Sequence, residues 1–252
     1  MDHRIIQVEY AGHPVRYALQ YPATQWYFRS YQRKAKGETY DILASPERIE
    51  QTRSILPPDS RDGFVEYRSL IGLTARELLR YDCCIFHAVS FLWRGYAWLL
   101  TAPSGTGKTT QYLNWQRLYP NEITMICGDM PVLERQENGS LWVHPTSWNG
   151  KENLGNRISA PLAGIILLEQ GDVNAISPLS PRDAVMPFFR QFMVHPETEP
   201  QIHALAGIID QMLRNLPIWK FVNLGDDAST EMLRNTLIQR AQELTGGNDG
   251  TL

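Results

Sequence analysis

The sequence has few cysteines and no long apolar run, and these absences exclude several classes of protein. Its three cysteines, Cys83, Cys84 and Cys127, are too few for a disulfide framework, and adjacent cysteines rarely bridge each other. They also lack the C-x-x-C spacing of a metal site, so we predict buried thiols in a reducing cytoplasm. No apolar run approaches the roughly 18 residues that span a bilayer, and residues 1–4 are too polar to open a secretion signal. We therefore expect a cytoplasmic protein with no membrane partner.

The sequence also lacks an excess of charge of either sign. Its 24 Lys and Arg residues nearly balance 27 Asp and Glu residues, for a net charge of −3. Nucleic-acid binding is not expected, because it ordinarily requires a basic surface. A hydrophobic fraction of 43% in 252 residues is typical of a globular protein that can bury a core.

A candidate phosphate-binding loop is the most informative feature that is present. Residues 102–110 read Ala-Pro-Ser-Gly-Thr-Gly-Lys-Thr-Thr and directly follow an apolar run at 96–100, which predicts a strand, a glycine turn and a helix. The glycines let backbone N–H groups point at phosphate oxygens, Lys108 would reach the β- and γ-phosphates, and the Thr109 hydroxyl would hold Mg²⁺. The alternative is a glycine turn that binds nothing. We predict a nucleotide site formed by Ser104, Gly105, Thr106, Gly107, Lys108, Thr109 and Thr110.

One position departs from the usual form of this loop. Ala102 stands where the motif ordinarily has its first glycine. An alanine is tolerated there if its φ is negative, because only a positive φ penalises a side chain. Gly105 and Gly107 remain where the backbone must approach phosphate most closely. The departure therefore leaves the prediction of nucleotide binding in place.

Strands alternate with helices after a small front segment. Apolar and polar residues alternate in residues 1–40 around a turn at Ala11-Gly12, which predicts strands, and turn formers at 44–62 predict a connection. Further strands are expected at 83–90, 96–101, 123–127, 131–135, 140–143, 162–168, 173–176 and 218–222, and helices at 70–80, 107–118, 181–194, 201–216 and 226–244. The fold class is therefore α/β. We expect a small β-rich N-terminal subdomain at 1–60, a nucleotide-binding domain at 61–245 and a flexible tail at 246–252.

Three residues outside the loop have candidate roles. Asp129 ends the apolar strand after the loop helix, where a carboxylate can hold Mg²⁺ near the γ-phosphate, or can simply accept backbone N–H groups in a turn. His87 lies among apolar residues, where a lone histidine is more often a satisfied core residue than a catalytic one. Lys151 follows Gly150 in a polar loop and would either bind a phosphate or remain solvated.

In their order along the chain, these motifs resemble the C-terminal domain of HPr kinase/phosphatase, which has a P-loop core of the phosphoenolpyruvate-carboxykinase type. The match comprises His87, the strand at 97–100, the loop at 103–109 and Cys127-Gly128-Asp129, and the interval of 21 positions from His87 to Lys108 fits the family. Residues 145–151 are similar to a stretch of smaller HPr-kinase-like proteins. The resemblance covers about residues 66–224 and implies a P-loop core in which a mixed β-sheet is flanked by helices.

The carboxylates depart from the family pattern. HPr kinases have two adjacent aspartates at the end of the strand that follows the loop helix, and one acts as general base toward the substrate serine. This chain has Gly128-Asp129 instead, so one carboxylate must serve the metal, the base or both. A general base contributes about 10²–10⁴-fold, whereas positioning and charge stabilisation dominate phosphoryl transfer. A kinase would therefore survive at a lower rate, while a phosphatase activity is less expected.

The resemblance implies an ATP-dependent kinase with Asp129, His87 and Lys108 as catalytic residues. Thr109 and Asp129 would hold Mg²⁺, and Lys151 would join the nucleotide contacts. The acceptor would be a serine or threonine of a peptide or protein, or a small alcohol, and the aromatic front segment is the candidate for choosing it. HPr itself is not expected as substrate, because the C-terminal segment that contacts HPr is not found. HPr kinases are hexameric, which makes a homo-oligomer one option. The alternatives are a nucleotide-binding regulatory or assembly module without transfer activity, and an NTP hydrolase.

Overall fold

Strands and helices alternate along residues 4–34 and 39–246, which the computed structural model describes. The strands are β1 (Arg4–Tyr10), β2 (His13–Leu19), β3 (Gln32–Arg33), β4 (Cys83–Ile85), β5 (Ala88–Trp93), β6 (Tyr96–Thr101), β7 (Thr124–Cys127), β8 (Val132–Arg135), β9 (Leu141–His144), β10 (Ala160–Gln170), β11 (Ala175–Pro178) and β12 (Ile218–Asn223). The helices are α1 (Gln25–Phe28), α2 (Pro46–Ser54), α3 (Asp62–Leu78), α4 (Lys108–Leu118), α5 (Pro181–Phe189), α6 (Glu199–Asn215) and α7 (Asp227–Gly246). This is the mixed α/β class that the sequence predicts.

The large sheet is mixed and curled. Seven of its strands follow the order β4-β8-β9-β10-β6-β5-β7, while β12 pairs with β10 and β11. The long strand β10 causes the curl, because its first residues pair with β9 and its later ones pair in parallel with β6 and β12. Strand β6 lies between β10 and β5, so the residues that follow β6 emerge from the interior of the sheet.

Alternate residues of β6 and β10 supply two separate cores. Leu99 and Ile165 belong to a core that includes α3, α6 and the N-terminal sheet. Their neighbours Trp98 and Ile166 belong to a second core with α4 and α7. Because successive side chains of a strand point to opposite faces, both faces of the sheet are covered by helices.

The front segment forms a three-stranded sheet in the order β2-β1-β3. Ala11 and Gly12 turn between β1 and β2 with φ of 50° and 79°, which confirms the predicted turn. The Tyr17 hydroxyl is hydrogen-bonded to Thr74 of α3 at 2.7 Å, and side chains of the sheet share one core with α3. A separate subdomain with a boundary near residue 60 stays a prediction.

Two sequence predictions about local structure are wrong. The connection at 44–62 contains helix α2, because Ser45 caps it by accepting a hydrogen bond from the Arg48 N–H at 3.2 Å and a proline is well tolerated in the first turn. The single strand predicted at 83–90 is two strands, β4 and β5, interrupted at Phe86 and His87. The halves separate because β4 pairs with β8, whereas β5 pairs with β6 and β7.

Some boundaries also differ from the prediction. Helix α3 begins at Asp62 rather than near residue 70. The sequence pattern missed its first two turns, because Glu66 and its polar neighbours interrupt the apolar periodicity there. Helix α5 ends at Phe189 rather than at 194. The hairpin of β8 and β9 around Asn138-Gly139 is confirmed. The predicted tail lies outside the described residues except for Gly246, and within the described part no helix has the length and apolarity to cross a membrane.

Candidate nucleotide site

The predicted site residues converge because three strand ends meet at one edge of the sheet. Strand β5 runs antiparallel to β6 and β7, pairing Ala88 with Thr101 and Ser90 with Cys127. The start of β5 therefore lies beside the ends of β6 and β7. His87 precedes β5, the loop at 102–107 follows β6, and Asp129 follows β7, so residues far apart in sequence occupy a common edge.

The loop at 102–107 joins β6 to α4 through two glycines in the left-handed region. Gly105 has a φ of 82° and Gly107 a φ of 100°, and Gly107 directly precedes the first turn of α4. Ala102 is buried and does not have a positive φ, so its methyl group is accommodated. The N–H groups of the first turn of a helix have no intrahelical partner, and together with the helix dipole they favour an anion. The loop thus has the local structure that the sequence predicts.

Lys108 lies inside the curve of this loop. Its ammonium donates hydrogen bonds to the carbonyl oxygens of Ala102 at 2.8 Å and Pro103 at 3.1 Å, and the residue is only 7% exposed. Burial lowers the pKa of Lys108, and the nearby negative charge of Asp129 acts in the opposite direction. A cation held this way is partly desolvated, and an anion that enters the loop would compensate that cost.

Asp129 and His87 form a pair, which sequence reasoning did not establish. His87 Nε2 lies 3.2 Å from Asp129 Oδ1, and His87 Nδ1 lies 2.8 Å from Gln191 Oε1. Both ring nitrogens therefore face an oxygen atom, and a hydrogen bond from His87 to the carboxylate requires a proton on Nε2. Arg68 of α3 is also close, with its Nη1 3.9 Å from Asp129 Oδ2. Gln191 and Arg68 had no sequence signal, because Gln191 lies in the turn after α5 and Arg68 in α3, both remote from the motifs in sequence.

The polar loop at 145–154 packs against the end of β7 and explains the glycine at position 128. A Cβ on Gly128 would lie 2.7 Å from the Asn149 carbonyl oxygen and 2.9 Å from that of Leu154. Gly150, with a φ of 74°, also approaches closely, because a Cβ there would lie 3.3 Å from the Asp129 Cβ. The space that the side chain of a second aspartate would occupy in this chain is filled by backbone.

A cavity of about 770 Å³ connects these residues. On its polar side it is lined by the predicted residues His87, Ser104, Gly105, Gly107, Lys108, Thr109, Thr110, Asp129 and Lys151. Thr106 is not among the lining residues, because its hydroxyl turns back to donate to the Pro103 carbonyl at 2.8 Å. A second side is formed by Trp26, Tyr27, Arg29, Leu56, Pro57, Phe64, Tyr67 and Arg68, and Glu152 is also among the lining residues. Residues from before position 60 thus share one cavity with the glycine loop.

The cysteines lie outside this cavity and are buried and free, as predicted. Cys83 does share a second cluster, in which its sulfur and the side-chain donor atoms of His13 and Glu134 lie within 4.8 Å of one another. Contacts within the protein account for this arrangement, since Glu134 is hydrogen-bonded to His144 at 2.8 Å and the His13 ring stacks on Tyr81 at 4.2 Å. Burial raises the pKa of the Cys83 thiol, which keeps it protonated.

No protein-family model and no curated protein matches this chain. Chains of solved structures do match, and one of them is the Hpr(Ser) kinase/phosphatase from Coxiella burnetii. The identity is 11%, the match covers 62% of this chain and 97% of that one, and the TM-score is 0.34. The relation is a distant one at the level of the fold.

Proposed function

We propose that this protein is an ATP-dependent kinase with an HPr-kinase-like P-loop core, which transfers the γ-phosphate of Mg-ATP to a hydroxyl group. The observation that carries the proposal is one cavity that contains the glycine loop, Lys108 and the His87–Asp129 pair. Either feature alone has a structural explanation, because a glycine turn can be empty and a buried histidine can be a core residue. Their convergence at one sheet edge supports phosphoryl transfer, which needs an anion-binding loop and a carboxylate close together.

The polar side of the cavity would bind the nucleotide. Backbone N–H groups of residues 104–109 and the Lys108 ammonium would hold the phosphates, with Thr110 and Lys151 at the rim. Thr109 and Asp129 offer hydroxyl and carboxylate oxygens to the same space, and these hard donors suit Mg²⁺. When bound, Mg²⁺ would neutralise charge on the phosphates.

Asp129 would receive the proton of the acceptor hydroxyl. It is partly accessible, with a side chain 20% exposed, and it faces the cavity beside Lys108. His87, fixed through Nδ1 by Gln191, would orient the carboxylate through Nε2. Positioning and charge stabilisation supply most of the rate in phosphoryl transfer, so a single carboxylate is compatible with a slow kinase.

A nucleotide-binding module without transfer activity is the second candidate. The observation that favours it is the backbone packed against Gly128, which excludes a second carboxylate. An NTP hydrolase, with water in place of the acceptor, is a third, since the partly accessible Asp129 faces a cavity that water can enter.

The test measures ATP affinity, ADP release and transfer of labelled γ-phosphate to a mixture of serine and threonine peptides. We expect Lys108→Ala to weaken ATP binding by about 10- to 100-fold. The matched control is Lys220→Ala, which removes a lysine paired with Glu169 outside the cavity and should bind ATP normally. Asp129→Asn should lose about 10²–10⁴-fold in transfer while ATP affinity without Mg²⁺ stays within about threefold.

Each alternative has its own outcome. ATP binding without turnover, unchanged in Asp129→Asn, would identify the module without transfer activity. ADP release that needs no acceptor and is abolished by Lys108→Ala would identify a hydrolase. Equal ATP affinity in Lys108→Ala and the unmodified protein would show that the glycine loop is not the nucleotide site.

A further inference from the structure

We infer that the second side of the cavity is a subsite for a peptide acceptor. In this peptide, the serine or threonine that receives the phosphate is followed or preceded by a large apolar residue and has an acidic residue nearby. The subsite consists of Trp26, Tyr27, Phe64 and Tyr67, which we call the aromatic wall, with Arg29 and Arg68 at its ends. The inference rests on the proposed kinase function, and it adds the chemistry of the acceptor.

Two helices, the short α1 and the longer α3, build the aromatic wall. Residues 64, 67 and 68 share one face of α3, because positions three and four apart are neighbours on a helix. Helix α1 adds Trp26 and Tyr27, whose ring centroids are 5.3 Å apart. Tyr27 stacks on Tyr67 at 4.7 Å and contacts Phe64 at 5.7 Å. The rings thus form one continuous apolar surface rather than isolated exposed side chains.

This surface begins beside the carboxylate that would receive the acceptor's proton. The Tyr67 hydroxyl donates to the Ser147 carbonyl at 2.5 Å, and the Met130 N–H donates to the Trp148 carbonyl at 3.1 Å. The wall is therefore attached to the segment that directly follows Asp129. An acceptor hydroxyl placed at Asp129 would have its neighbouring residues on the aromatic wall.

The outer end of the wall is open to solvent, which favours a peptide over a small alcohol. Trp26 is 59% exposed, although a large apolar side chain gains free energy from burial, and exposed tryptophans are typical of recognition surfaces. Leu56 and Pro57 continue the same lining toward the surface. A chain could enter and leave along such a surface, whereas an enclosed pocket would suit a small alcohol.

The charges at the two ends indicate an acidic peptide. The Arg29 guanidinium lies 3.7 Å from the Trp26 ring centroid, and Arg68 lies at the Asp129 end. Lys108 and Lys151 are the other cations of the lining, and Asp129 and Glu152 are its carboxylates. At 3.9 Å from Asp129, Arg68 is too far away for a hydrogen bond to that carboxylate, so its N–H groups can bind a second anion. Arginine binds carboxylates with directed hydrogen bonds.

The same aromatic surface could instead stack a nucleobase, and the experiment separates the two. The probe is a positional-scanning library of serine peptides with labelled ATP. We expect the unmodified protein to prefer an aromatic or large aliphatic residue next to the serine by about tenfold or more over glycine. Trp26→Ala should raise the KM of the best peptide about tenfold and leave the KM of ATP unchanged, whereas Arg68→Gln should remove the preference for an acidic residue.

Phe189→Ala is the matched control, because Phe189 is 58% exposed but lies outside the cavity. A rise in the KM of ATP alone in Trp26→Ala would make the wall a nucleobase site and overturn the inference. Transfer to peptides with no preference at any position would also overturn it, and both results would leave the kinase proposal intact. ATP binding with no transfer to any peptide would also overturn the inference, and the kinase proposal would then require a small alcohol as acceptor.

Discussion

The two sides of the cavity are built in opposite ways. The glycine loop is one continuous segment that follows an interior strand, and its groups come mostly from the backbone. The aromatic wall combines side chains of α1 and α3 from separate parts of the chain. A backbone site of this kind is encoded by local sequence, whereas a side-chain surface depends on how distant segments pack.

The two sides also differ in what holds them in place. The loop is fixed by the pairing of β6 with β5 and β10. Helix α1 is held to α3 by Glu66, which is fully buried and accepts hydrogen bonds from the N–H groups of Gln20 and Tyr21 and the Thr24 hydroxyl, at 2.7, 3.1 and 2.5 Å. One carboxylate thus positions the segment that carries Trp26.

The largest expected loss of stability is that of Gly128→Asp, on the polar side of the cavity. The new side chain would collide with two backbone carbonyls, and overpacking together with a buried unpaired charge should cost about 3 kcal/mol or more. A fall in Tm of about 6–12 °C is expected at that cost, with no gain in transfer. Gly12→Asp is the comparison variant, since a Cβ there meets nothing within 4 Å and only the φ of 79° opposes the side chain, at a cost of about 1–2 kcal/mol. A stable Gly128→Asp protein with raised activity would contradict this account of the site.

The next largest loss of stability is expected for Glu66→Gln, on the aromatic side of the cavity. An amide accepts through one oxygen only, so at least one buried donor should lose its partner at a cost of about 1–3 kcal/mol. Chemical denaturation should show this loss in the free energy of unfolding. The KM of the peptide should rise, because Glu66 positions the segment that carries Trp26, while the affinity for ATP stays unchanged. Glu77, on the same helix, pairs with Arg80, whose side chain is 64% exposed. Glu77→Gln is the control and should change stability by less than about 1 kcal/mol. Equal loss in both variants would show that Glu66 has no special role.

The smallest effect is expected for Ala102→Gly, which restores the usual first glycine. Because Ala102 has no positive φ, ATP affinity should change by less than about twofold, and stability should fall by about 0.5–1 kcal/mol from added chain entropy. Gly107→Ala is the contrasting variant, since its φ of 100° strains any side chain. Titration with ATP should show weaker binding for Gly107→Ala but not for Ala102→Gly. Tighter binding by Ala102→Gly would contradict this expectation and show that Ala102 weakens the nucleotide site.

The sequence predicted the parts of the site that depend on local pattern. The strand before residue 102, the helix after Gly107 and the strand before Gly128 were all expected, because apolar runs and glycines determine them locally. The break at His87 was missed, since it arises from the different pairing partners of β4 and β5. Gln191, Arg68 and Glu66 were missed for a related reason, because each acts through a residue distant in sequence.

Gly128 has a consequence for how this protein can change over generations. Backbone from residues 149–154 occupies the place of a second carboxylate, so no single substitution at 128 can introduce one without loss of stability. The loop at 149–154 would first have to move away from Gly128, and that change alone adds no second carboxylate. The order of these steps makes the single-carboxylate state hard to leave by natural selection.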